Sequence, residues 1–125
     1  MKFASKLMIA GGLIVVLVVL WAIFFANPSS NYDSFAQCLT SKGMKMYGAF
    51  WCPHCQDQKQ ILGSSMKYIN YIECSTPDGN SQTPECSLAG IQSYPTWQLP
   101  DGIKRPGELS LQELSIYSNC SLPSS

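Results

Sequence analysis

The sequence has no surplus of charge in either direction. Eight Lys and Arg stand against eight Asp and Glu in 125 residues. Such a balance offers no basic surface to a nucleic-acid backbone, and no charge run marks a tail. Histidine is almost missing, with His54 the single one, and CxxC occurs once, at Cys52 and Cys55. A tetrahedral zinc site needs four ligands, usually from two closely spaced pairs, so no metal site is expected. No bound cofactor is expected either. No internal repeat and no second domain can be discerned.

One feature is present in excess. Leu7 to Ala26 is a run of 20 residues without a charge, preceded by Lys2 and Lys6, and no positive charge follows until Lys42. About 20 apolar residues span a bilayer core as a helix. The positive-inside rule would then leave the N-terminus in the cytoplasm. A cleaved signal peptide is the competing reading, but its apolar region is usually shorter, and Phe24 is bulky where a small residue is wanted before a cut at Ala26. The expectation is a single N-terminal transmembrane helix. It has a cytoplasmic stretch at 1–6, an anchor in contact with membrane lipid at 7–26, and a polar linker at 27–31. One small exported domain follows at 32–120, with a tail at 121–125. This places the protein in the cell membrane as a single-pass chain with its catalytic domain extracytoplasmic. Six cysteines in such a small exported domain suit an oxidising compartment.

Within the domain, Trp51-Cys52-Pro53-His54-Cys55 is the most informative stretch. An apolar run from Met44 to Phe50 precedes it, and the helix-compatible run Gln56 to Gln60 follows. The pattern predicts a strand feeding a helix with a dithiol at the junction. The first N–H groups of a helix lack internal partners and face its positive dipole end, so a thiolate there is stabilised and attacks disulfides. Pro53 suits the first helical position, where no N–H is needed. Cys55, one turn on, can close onto Cys52.

Periodicity and turn residues supply the rest. Helices are expected over Tyr32–Ser41 and from Pro53 to Met66, the latter broken near Gly63. A strand is expected over Lys67–Cys74 and a polar loop over Ser75–Thr83. A short helix is expected over Pro84–Ala89. A hairpin turns at Pro100-Asp101-Gly102 between Thr96–Leu99 and Ile103–Arg105. Ser110, with Glu113, caps a final helix. The fold class is α/β.

Tyr47-Gly48-Ala49-Phe50-Trp51-Cys52-Pro53-His54-Cys55, then Tyr94-Pro95-Thr96-Trp97, a hairpin and a terminal helix together resemble the thioredoxin superfamily. More narrowly, these motifs with Cys74 and Cys86 to Ile91 resemble the thioredoxin-like domain often fused to vitamin K epoxide reductase homologues. The likeness runs over about residues 44 to 117 and implies a thioredoxin fold, a central mixed sheet flanked by helices. The sequence carries no multi-helix reductase domain, so such a partner is expected as a separate protein.

By that resemblance Cys52 is the attacking thiol and Cys55 the resolving one, exchanging disulfides through a mixed disulfide. Pro53-His54 is also the pair of the oxidising DsbA family. His54 can set a proton or positive charge near Cys52, or be an ordinary surface residue. Pro95 is implied to follow a cis bond facing the dithiol, against an ordinary trans edge proline. Trp51, Tyr94 and Thr96 are candidate substrate contacts, though Trp51 and Trp97 can equally be core. Many thioredoxins carry a buried acid six residues before the first cysteine. Met46 stands there, and nothing in the sequence brings Glu73 or Lys45 to the dithiol instead. Cys74 and Cys86 bracket the polar loop, as a structural disulfide worth about 3 kcal/mol or as a shuttle pair. Cys38 and Cys120 can pair together, stay free or link to a partner chain.

The expected function is a membrane-anchored thiol–disulfide oxidoreductase forming disulfides in exported protein thiols. A vitamin K epoxide reductase-like or DsbB-like membrane protein would re-oxidise it. The alternatives are an extracytoplasmic reductase or isomerase, as in cytochrome maturation, a metal chaperone using Cys52, Cys55 and His54, and a scaffold with a vestigial dithiol.

Overall fold

The computed structural model describes the backbone of residues 2–25 and 31–124, and the side chains of 11–23 and 31–124. The chain opens with helix α1 (Lys2–Phe25). Its described side chains run from Gly11 to Ile23. Among the described residues no helix is long and apolar enough to cross a membrane. The transmembrane helix expected at 7–26 is corrected on that finding. So is the single-pass placement with a cytoplasmic N-terminus and an extracytoplasmic domain. The side chains of 1–6 and the linker positions 27–30 lie outside the described residues.

The remaining elements are α2 (Asp33–Ser41), β1 (Lys45–Gly48), α3 (Pro53–Leu62), a 3₁₀ helix (Gly63–Tyr68), β2 (Tyr71–Glu73), α4 (Pro84–Leu88), β3 (Thr96–Gln98), β4 (Lys104–Pro106) and α5 (Leu111–Ser118). One mixed sheet in the order β2-β1-β3-β4 organises them. β1 runs parallel to β2 and antiparallel to β3, and β3 turns back into β4. Gly63, at φ 55°, ends α3 where the sequence expected a break. The strand expected to begin at Lys67 starts only at Tyr71. Lys67 and Tyr68 belong to the 3₁₀ helix, because Met66 and Ile69 recur at the three-residue spacing of that helix and pack towards the core. Ser110 and Glu113 form a reciprocal capping box at the start of α5.

Side chains on the two faces of a strand alternate, which divides the interior into two layers. Met46 and Trp97 share one face with Phe35, Leu39, Cys55, Leu62 and Leu114 from the helices. Tyr47 faces the other way, with Cys74, Cys86 and Ile91. Each layer holds one disulfide. Cys38–Cys120 ties α2 to the segment after α5, and Cys74–Cys86 closes the polar loop onto α4. In the chain-entropy account a loop of separation 82 contributes about 4–5 kcal/mol and one of separation 12 about 3 kcal/mol. For a domain this small that is a large share of total stability.

Candidate active site

Cys52 is the N-cap of α3 and Pro53 its first residue. The loop before them is held from three sides. The Cys52 N–H donates to the Ala49 carbonyl at 3.1 Å. The Phe50 N–H donates to Glu73 Oε1 at 3.1 Å, and Gln56 Nε2 donates to the Phe50 carbonyl at 2.9 Å. Cys52 thereby sits where the unpaired N–H groups of α3 begin.

Cys52 and Cys55 are both free thiols. Cys52 keeps 6% of its surface accessible, while Cys55 has none. The Cys52 thiol donates to the Tyr94 carbonyl at 3.6 Å, and the Tyr94–Pro95 peptide bond is cis. The loop carrying Pro95 therefore lies against the outer sulfur. Burial pushes the Cys55 thiol up to about 12, and the neighbouring Cys52 thiol adds to the shift. The Ala49 backbone and the Lys59 ammonium work against it. Cys52, slightly exposed, thus stands at a helix N-terminus, and Cys55 is a deep thiol that strongly prefers its proton.

The structure sorts the remaining candidates. Trp51 is half exposed, stands edge-on to the Tyr94 ring at 6.0 Å, and donates through Nε1 to Ser75 Oγ. Trp51 and Tyr94 thus form an aromatic rim beside Cys52. Thr96 does not reach that rim: it is buried, with its hydroxyl donating to the Ser93 carbonyl. Trp97 is core. His54 pairs through Nδ1 with Glu108 at 2.7 Å on the open surface. Among the described residues, the grouping of three metal-capable side chains within 4.8 Å is His54, Asp57 and Glu108, all exposed. The set Cys52, Cys55 and His54 is not gathered.

Sequence reasoning missed Gln58. It is fully buried inside a polar-looking run, on the same face of α3 as Cys55 and Leu62. Its Oε1 accepts from Trp97 Nε1 at 3.0 Å and from the Leu109 N–H at 2.7 Å, while Nε2 donates to the Leu109 carbonyl at 3.0 Å. This one amide fixes α3, and the cysteines with it, to β3 and the segment leading into α5. The i, i+3, i+7 spacing of Cys55, Gln58 and Leu62 was the available signal.

Gly48 was also passed over. A Cβ on Gly48 would stand 2.9 Å from Tyr71 Cε2, 3.0 Å from Cys55 Sγ and 3.1 Å from Tyr71 Oη. The missing side chain lets a phenol and the deep thiol share one space. Gly48→Ala is expected to cost about 1–3 kcal/mol through overpacking, read as a lower melting temperature. An unchanged melt would show that Tyr71 moves aside freely.

No protein-family model matches the chain. In an alignment of 103 positions that covers 78% of its length, the chain is 42% identical to thiol-disulfide oxidoreductase LTO1 of Arabidopsis thaliana. The chain is a relative of an oxidoreductase. The match covers 27% of that protein, so the chain spans about a quarter of the length of this curated relative. The similarity supports a thioredoxin-like oxidoreductase, and the dithiol at the start of α3 is the chemistry such an enzyme requires.

Proposed function

We propose that the chain forms disulfides in protein thiols through the Cys52–Cys55 pair. The observation that carries this reading is the contrast between the two sulfurs. Cys52 keeps a slight exposure beside the Tyr94 carbonyl at the N-terminus of α3, and Cys55 keeps none. A substrate thiolate attacks Cys52 Sγ of the oxidised pair, forming a mixed disulfide. The Cys52–Cys55 bond breaks, and Cys55 leaves with the electron pair and takes a proton. A second substrate thiolate then attacks the substrate's own sulfur, which releases Cys52 and completes the new disulfide.

The reduced pair then passes two electrons to a separate oxidant. A vitamin K epoxide reductase-like or DsbB-like membrane protein fits that role, with exported protein thiols as substrates. The two disulfides outside the site suit an oxidising compartment.

The equilibrium potential of the Cys52–Cys55 pair tests the direction. Titration against glutathione, with mass tags to separate this pair from the other four cysteines, is expected to give a value near about −120 mV. A value near about −270 mV would overturn the oxidase reading in favour of a reductase.

A further inference from the structure

Dithiol exchange leaves one proton without a route. Cys55 must gain a proton when it leaves Cys52 and lose it when it attacks again, yet it has no accessible surface. Cys52 and Lys59 face it from the α3 side, the Ala49 backbone from the loop before α3, and Tyr71 from β2, with Glu73 behind Tyr71. The parallel pairing sets Met46 beside Tyr71 and Gly48 beside Glu73, so Tyr71 and Glu73 project on the Cys55 side of the sheet.

From the space beside Cys55, hydrogen bonds lead outward through Tyr71. The Tyr71 phenol and Cys55 Sγ flank the space above Gly48, at 3.1 Å and 3.0 Å from the point a Cβ would occupy. The Tyr71 hydroxyl donates to Glu73 Oε2 at 2.8 Å. Glu73 Oε1 is fixed by the N–H groups of Phe50 at 3.1 Å and Ser75 at 3.0 Å. Glu73 is half-buried and so meets solvent. Lys59 Nζ stands 3.9 Å from the centre of the Tyr71 ring, placing a positive charge over the path.

We propose that Tyr71 and Glu73 are positioning residues that carry the Cys55 proton to and from solvent. The idea rests on the reading of Cys55 as the resolving thiol. As Cys55 attacks, its proton passes to Tyr71 Oη while the Tyr71 hydroxyl proton passes to Glu73 Oε2. Tyr71 stays neutral throughout, and Glu73 releases the proton to water. The reverse transfer supplies a proton when Cys55 leaves as a thiolate. Burial and the hydrogen bond to Glu73 hold the Tyr71 phenol above its ordinary range, which suits a group that conducts a proton without losing its own.

The test follows the full chain, reduced only at the Cys52–Cys55 pair, reacting with dithiobis-nitrobenzoate in a stopped-flow instrument. Cys52 attacks the reagent first and releases one nitrothiobenzoate. Cys55 then attacks Cys52 Sγ in the mixed disulfide, and the second nitrothiobenzoate leaves with the electron pair. Tyr71→Phe and Glu73→Gln are each expected to slow the second release by about 100-fold at neutral pH and leave the first unchanged. The deficit should shrink as pH rises, because a larger fraction of Cys55 is then already thiolate before it attacks. The glutamine oxygen can keep both backbone bonds, so a defect there is not a loss of loop structure. A second phase matching the parent in both variants, at every pH, would overturn the relay. A parent protein without a fast first phase would instead sink the assignment of Cys52, and the relay with it.

Discussion

Replacing Cys52 by Ser is expected to lower disulfide exchange with a reduced peptide by more than about 1,000-fold, while the fold survives. A hydroxyl at neutral pH neither forms the mixed disulfide nor accepts attack by a thiolate, so the loss is of chemistry and not of binding. Cys52 lies at the mouth of the site with its thiol on the Tyr94 carbonyl, and Ser can keep that hydrogen bond. Cys55→Ser should behave differently. Offered a disulfide-bonded peptide, the lone Cys52 thiolate attacks one peptide sulfur and expels the other, but no internal thiol remains to release the adduct, so a mixed disulfide accumulates and can be weighed by mass spectrometry. Adducts that build up equally on Cys52→Ser would mean that Cys55 or one of the other four cysteines does the capturing. Both disulfides outside the site argue against capture by those four.

The second large effect is on stability, and it comes from Gln58. Gln58→Leu keeps the volume of the side chain and removes its amide. The Leu109 N–H, the Leu109 carbonyl and Trp97 Nε1 would each lose a buried partner. At about 1–3 kcal/mol for each orphaned group, with incomplete additivity, the expected cost is about 3–5 kcal/mol. Gln58→Glu separates hydrogen bonding from packing. A carboxylate can accept from Trp97 and from the Leu109 N–H but cannot donate to the Leu109 carbonyl, whereas the protonated acid can do both. Burial raises the acid's pKa in the folded state above its unfolded value. The variant should therefore be most stable at low pH and lose that stability as pH rises through the folded pKa. Urea melts across pH would measure both. A Gln58→Leu variant as stable as the parent would show that the segment around Leu109 finds water instead.

Local signals carried the sequence reading a long way. Turn chemistry at Asp101-Gly102, the glycine break at Gly63 and the capping pair Ser110 and Glu113 each act over a few residues, and the structure contains all three. What escaped depends on distance along the chain. Gln58 reads as one more polar residue until Leu109, 51 positions later, folds back onto it. Tyr71 and Glu73 read as an ordinary alternating strand, and only the register of β2 against β1 sets them over Gly48 and Cys55. Glu108 is a loop acid until the end of β4 brings it to His54. The strand start at Lys67 failed because a two-residue alternation and a three-residue repeat cannot be told apart over so short a run. The expected membrane anchor was read from the uncharged length of 7–26, but among the described residues no helix is long and apolar enough to cross a membrane.

The Cys38–Cys120 bond also decides how the domain carries mechanical load. Any pull between the first helix of the domain and its C-terminal end passes through that covalent bridge, across a separation of 82 residues. The sheet, the rim of Trp51 and Tyr94, and the dithiol all lie on the slack branch. Tension between segments beyond the two ends of that bridge would be shunted past the reaction centre, leaving its geometry unstretched.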